Sequence, residues 1–179
     1  MASPAVINVL FVLLPNSLIL DWAGPAEALR IANQCLLAQG QPERFALQFV
    51  GPDGSTATSV GAQLTGLQPL RSALTAHPAT PHWVVLVGLP GETIAVDNAP
   101  ARAVLRRLRG LRLATNQLEL VTVCAGTLLA AHAGLLKGRR VTTHHQHLDE
   151  LRAVEPQCEV VGNRVFVEAP PVYSSAGVT

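Results

Sequence analysis

Charged side chains are scarce in this 179-residue sequence: Asp, Glu, Lys and Arg make up 14%, against roughly 25% in ordinary soluble domains. Aromatic residues are scarcer still, at 4%, so a core has to be assembled from Ala, Val and Leu. The net charge of +1 gives these residues no electrostatic reason to bind nucleic acid or an anionic membrane. No Lys or Arg precedes Arg30, so the positive n-region of an export signal is missing. The longest strongly apolar stretch, residues 6–14, is interrupted by Asn8 and stopped by Pro15, well short of the roughly 20 residues a spanning helix needs. Cys35, Cys124 and Cys158 are too few and too scattered for a disulfide framework or a paired zinc site. These absences imply a reducing, cytoplasmic setting and no membrane partner. A folded surface this poor in ions also implies that part of it is normally covered.

What is present is apolar material: 49% of the chain, too much for a disordered segment and enough for one domain spanning residues 1–179. A continuous β-rich run over 6–13 reads as a parallel strand buried on both faces. A helix follows from about residue 21, with Pro25 suited to its first turn and Gly40 placed to end it. Further strands are expected over 45–50, 83–87, 118–123 and 140–143, with helices over 101–111, 126–136 and 145–154. The segment 55–81 suggests short strands and a helix near 70–76. A hairpin is expected between 159–161 and 164–168 across Gly162-Asn163, with a last strand over 172–175. Strands alternating with helices imply a mostly parallel sheet in a three-layer α/β/α sandwich. Arg102, Arg106 and Arg109 fall on the polar face of the 101–111 helix; a phosphate contact would suit such a face, but a solvated face is the commoner cause and the preferred reading.

The chemistry concentrates in Val121-Thr122-Val123-Cys124-Ala125-Gly126-Thr127. A β-branched strand runs straight into a helix, with Cys124 at the junction and small residues behind it. Such an elbow holds its central residue at the carboxyl edge of the sheet, where open α/β folds bind ligands. The helix N-terminus is expected to lower the thiol's pKa. A buried structural cysteine is the plain alternative; the elbow context favours a reactive or ligand-sensing thiol. His144, after the strand over 140–143, and Asp21, between the first strand and first helix, are the candidate partners; Asp21 also suits a helix N-cap. Backbone N–H groups of Gly88 and Leu89, with those of Ala125 and Gly126, suggest an anion- or ligand-binding edge. His144, His145 and His147 cluster without the carboxylates or spacing of a metal site, so they read as a surface cluster. Neither a metal nor a cofactor is expected.

Together these residues resemble the ThiJ/PfpI superfamily, whose fold is the flavodoxin-like fold of class I glutamine amidotransferase domains. Three stretches carry the resemblance over nearly the whole chain. They are Asp21-Trp22-Ala23-Gly24-Pro25-Ala26-Glu27, the elbow Val123-Cys124-Ala125-Gly126, and Ala133-Gly134-Leu135-Leu136-Lys137-Gly138-Arg139-Arg140-Val141-Thr142-Thr143-His144. Two branches share them. Isocyanide-hydratase-like enzymes would use Cys124 as nucleophile and Asp21 as its acid/base partner. The other branch is the N-terminal sensor domain of AraC-type transcription regulators of the GlxA kind. The run Pro25-Ala26-Glu27-Ala28-Leu29-Arg30-Ile31-Ala32-Asn33 and the closing Ser174-Ser175-Ala176-Gly177-Val178-Thr179 are more similar to the regulators. Two departures weigh against enzyme activity: Gly88-Leu89-Pro90-Gly91 stands where the family usually has Pro-Gly-Gly, and Ala125 replaces the His of protease-like members. The resemblance therefore implies a homodimeric sensor of a small effector or an oxidant. It also implies a final helix after Thr179, and DNA contact only through helix-turn-helix units beyond this chain.

Overall fold

The structure, a computed structural model, describes residues 5–76 and 79–177; Val178 and Thr179, which end the regulator-like run, lie outside them. Strand β1 (Ile7–Val12) is buried at all six positions, as a strand covered on both faces should be. Helix α1 (Ile19–Ala38) follows, then β2 (Phe45–Gly51), the hairpin β3 (Ser55–Ala57) and β4 (Gln63–Thr65), and β5 (Gln68–Pro69). Next come α2 (Leu70–Ala76), β6 (His82–Leu86), α3 (Ala99–Leu108) and β7 (Leu118–Val123). Helix α4 (Gly126–His132) and β8 (Arg140–Val141) precede a 3-10 turn, His145–His147, that leads into α5 (Leu148–Val154). The chain ends in β9 (Glu159–Val160), β10 (Phe166–Ala169) and β11 (Val172–Ser175).

Seven strands form one sheet in the order β10-β11-β7-β6-β1-β2-β5, parallel except for β10. The chain steps from β1 outward to β2, then returns to place β6 on β1's other side. Connections reverse there, which opens a crevice beyond the carboxyl ends of β1 and β6. This is the expected flavodoxin-like three-layer arrangement. Its core is aliphatic: Leu10, Val84, Leu86, Leu120, Leu128 and Leu129 are at most 1% exposed, each contributing about 1.5–3 kcal/mol by burial.

The two faces of the sheet differ. Helices α2, α3 and α4 cover one. On the other, Trp22 of α1 packs edge-on against Phe49, which stacks on Phe11. By register, all the aromatic side chains (Phe11, Phe45, Phe49, Phe166, Trp22, Trp83 and Tyr173) lie on this α1 side. Away from α1 the cover is thin: Trp83, Val121 and Tyr173 are half-buried and Phe166 is exposed. Asn33 ties α1 to the sheet: its Oδ1 accepts the N–H groups of Arg44 and Phe45, and its Nδ2 donates to Phe45 O at 2.7 Å.

Four local expectations are corrected. Helix α1 begins two residues early at Ile19 with Leu18 at its N-cap, so Asp21 caps nothing and Pro25 sits in the second turn. Helix α4 stops at His132 because Gly134, at φ 72°, lets Leu135 N–H reach back to Ala130 O, a Schellman closure. The strand expected over 140–143 is only two residues long and pairs with β9 in a side ribbon. The hairpin lies one element further on, between β10 and β11 across Pro170-Pro171. Prolines without N–H groups cannot extend a ladder, so the chain turns there rather than at Gly162-Asn163. Among the described residues, no helix is long and apolar enough to cross a membrane.

Candidate functional site

Cys124 leaves β7 with φ at +57°, a left-handed conformation costly for a residue with a Cβ. Surrounding hydrogen bonds hold it there. Its N–H donates to Ser175 O at 3.0 Å, and its carbonyl accepts the hydroxyls of Thr143 at 2.9 Å and Thr127 at 3.4 Å. Thr127 Oγ1 also donates to Thr142 O and contacts Thr122 Oγ1 at 2.8 Å. The Ser174 hydroxyl accepts Thr142 N–H. The hydroxyls of Thr127, Thr143 and Ser174 were legible only as strand or helix residues in the sequence. Their role depends on β11 lying beside β7.

The space at the elbow exists because three neighbours are glycines. A Cβ on Gly126 would collide with the backbone of Leu86 and Val87. One on Gly88 would stand 2.5 Å from Asp21 Oδ2 and 3.2 Å from the Cys124 sulfur. One on Gly177, which has φ of +83°, would stand 2.5 Å from Cys124 Cβ. Gly177 closes the site from the C-terminal side; its sequence signal was a lone glycine just after the last strand. Cys124 is only 6% exposed.

Asp21 reaches this point from α1. It is 3% exposed; Oδ2 accepts Gly88 N–H at 2.9 Å, and the carboxylate also accepts the Cys124 thiol's hydrogen bond. Burial raises Asp21's pKa, opposed by Gly88, Cys124 and the charge of His144. Burial likewise pushes the Cys124 thiol up to about 11, helped by Asp21's charge and hydrogen bond and opposed by the Ala125 N–H. The expected depression of the thiol is therefore reversed. Helix α4 has only seven residues, and its N-terminal field is outweighed by burial and an adjacent carboxylate.

His144 is half-buried at the entrance to the 3-10 turn. Burial lowers its pKa, as do His145 and His147, while Asp21 acts the other way. Its ring lies 4.3 Å from that of His145 and 6.0 Å from that of His147. Among the described residues no hydrogen bond joins it to Cys124, so the thiol's direct partner is Asp21. The histidines are not a uniform surface cluster, because His147 is 3% exposed and pairs with Glu150 at 2.8 Å. Glu150 also accepts Ile94 N–H, tying α5 to the loop that begins at Gly88. Of the N–H groups expected to bind an anion, that of Gly88 serves Asp21 and that of Ala125 the cysteine sulfur. Leu89 borders a cavity of about 270 Å³ with Leu14, Asn16 and Asn98. Among the described residues, no group of three or more His, Cys, Asp and Glu could hold a metal ion.

Comparison with known proteins places these features. The family model described as "DJ-1/PfpI family" matches residues 8–179. An uncharacterized protein from the cpoL 5' region of Streptomyces lividans is 32% identical over 132 residues, which are 72% of this chain and 81% of that protein. The HTH-type transcriptional regulator CdhR of Pseudomonas aeruginosa is 28% identical over 93% of this chain and 45% of its own length. The HTH-type transcriptional regulator GlxA of Rhizobium meliloti is 27% identical over 82% of this chain and 41% of its own length. The chain thus spans less than half the length of the regulators it matches. Among solved structures, an AraC family transcriptional regulator from Pseudomonas putida superposes with a TM-score of 0.71 at 17% identity, covering 96% of this chain and 84% of that one.

Proposed function

We propose, on the premise that this chain belongs to the DJ-1/PfpI family, that it is the ligand- or redox-sensing regulatory domain of an AraC-family transcription regulator, with Cys124 at the sensing centre. The observation that carries the reading is the closed Cys124–Asp21 pair: a buried thiol that donates to a carboxylate, crowded by Gly88 and Gly177. A thiol held protonated is a poor resting nucleophile. Oxidants also attack the thiolate, so the same feature favours a small-molecule effector over an oxidant. The two HTH-type regulators among the relatives support the regulatory setting.

In this reading DNA is bound by helix-turn-helix units that follow residue 179. A further helix covers the half-exposed face around Trp83, Val121 and Tyr173. The apolar side chains Leu20, Ile31 and Leu37, exposed on α1, support a homodimer. The setting is the reducing cytoplasm. Sequencing the gene downstream of the Thr179 codon tests the reading: about 100 further residues with two helix-turn-helix units are expected, and an immediate stop codon would contradict it.

A cysteine-dependent hydratase or hydrolase of small molecules, isocyanide-hydratase-like, is the second reading. The left-handed elbow at Cys124 and its direct contact with Asp21 favour it. It requires turnover of isocyanides, amides or α-oxoaldehydes that Cys124→Ser abolishes.

A further inference from the structure

Five of the chain's 13 basic residues fall between positions 102 and 112, and no acidic residue occurs between Asp97 and Glu119. Arg102, Arg106 and Arg109 share a helix face in the sequence, but the fold groups them differently. Arg106 and Arg107, at the end of α3, line a cavity of about 260 Å³ together with Arg71 and Ser72 of α2; Gly51 and Pro69, the last residues of β2 and β5, complete its wall. No carboxylate lines it. The ion pairs of the described residues use Arg30, Arg140, Arg152 and His147, so none of the three guanidiniums is neutralised.

The arrangement is not what helix stability alone would select. Arg106 and Arg107 suit the last turn of α3, where the dipole favours a cation. Arg71 stands in the first turn of α2, where the dipole disfavours one, and that turn has no acidic residue. Gathering three like charges around one cavity adds repulsion. An anion in the cavity offsets both costs. Gly51 and Pro69 place one wall of the cavity at the carboxyl ends of β2 and β5, the edge at which ligands of parallel α/β folds bind. It is distinct from the cysteine site, because β1 and β6 lie between β2 and β7, a separation of roughly 14 Å.

We propose that this groove binds a phosphoryl group carried by a small ligand. A carboxylate occupies one guanidinium fork, whereas a phosphoryl group offers three oxygens to three guanidiniums approaching from two helices. The site does not depend on Cys124, so it stands or falls separately from the sensing role. Calorimetric titration with inorganic pyrophosphate at low salt tests it. Saturable binding is expected, weakened about tenfold by Arg71→Gln and by Arg106→Gln and unchanged by Arg102→Gln or Cys124→Ser. Absence of saturable binding would overturn the proposal. Equal weakening by Arg102→Gln, which signals a diffuse field, would do the same. Tighter binding of citrate than of pyrophosphate would remove the phosphoryl assignment. Tighter binding of a DNA duplex through the same arginines would remove the small-ligand assignment.

Discussion

Gly126→Ala is expected to cost at least about 3 kcal/mol of folding stability, a large share of the roughly 5–15 kcal/mol that holds a domain together. The added Cβ would be driven into Leu86 O, with Leu86 C at 2.6 Å and Val87 N at 2.9 Å. None of these atoms is the end of a flexible side chain. They belong to β6, the central strand of the seven, and the residue that follows it, and moving them means separating β6 from β1 or lifting α4 off the sheet. Relief in either direction disturbs the elbow, since α4 starts two residues after Cys124. Gly54→Ala supplies the contrast: Gly54 lies in the turn before β3 with no atom near its would-be Cβ and no left-handed φ, so alanine there should add about 0.4–1 kcal/mol by restricting the unfolded chain. Denaturant unfolding of the two variants checks both signs. A loss below about 1 kcal/mol for Gly126→Ala would mean that the close packing of α4 on β6 is not what fixes the elbow.

Asp21→Asn is expected to make Cys124 react faster with iodoacetamide at mildly alkaline pH. Burial, the largest cause of the raised thiol pKa, is unchanged by the substitution. The next cause, the negative charge of Asp21, disappears, and so does the carboxylate that accepts the thiol's hydrogen bond. The thiolate fraction grows tenfold for each unit by which the pKa falls. Intrinsic nucleophilicity falls along with the pKa and cancels part of that gain, so the net rise should be about three- to tenfold. Cys35 is exposed and Cys158 half-buried, and both are replaced by Ser so that mass spectrometry follows Cys124 alone. An unchanged or slower rate would show that Asp21 does not hold the proton on the sulfur. The sign separates two roles for the carboxylate. As a charge beside the sulfur it suppresses reactivity; as the acid/base partner of a resting nucleophile it would promote it.

Much of the fold was legible because it rests on local signals of useful length. The uninterrupted run of residues 6–13, the β-branched residues before Cys124 and the alternation of strands with helices each have one economical solution. The elements that moved are those decided by distant partners. The segment 140–143 has strand character along its length, yet Thr142 and Thr143 leave the ribbon because their backbone and hydroxyl groups bind Ser174 and Cys124. Gly162-Asn163 resembles a hairpin turn, but β9 finds β8 and β10 finds β11 instead.

Within the site, Cys124 and Asp21 were legible from the turns in which they stand, and the fold brings them into contact. The direction of the thiol's pKa was not, because it depends on how deeply the elbow is buried and on a carboxylate 103 positions earlier in the chain. The scarcity of charge also takes a definite form. Trp83, Val121 and Tyr173 leave a half-buried patch on the α1 side of the sheet, with Glu119 bonded to Trp83 and Tyr173, and basic residues gather on α3.

The most direct test is the ionisation of Cys124 itself, followed by ultraviolet thiolate absorbance in the Cys35→Ser, Cys158→Ser chain. Burial and Asp21 place the midpoint near pH 11. Since the folded pKa then exceeds the ordinary value of 9.0, the unfolded chain loses this proton first, and stability should decline as pH rises from 9 to 11. A midpoint near 11, with that decline, is expected of a closed site that responds to an entering ligand. A midpoint at or below pH 7, with stability rising towards pH 9 and level above it, would identify a resting thiolate nucleophile and contradict the sensing role.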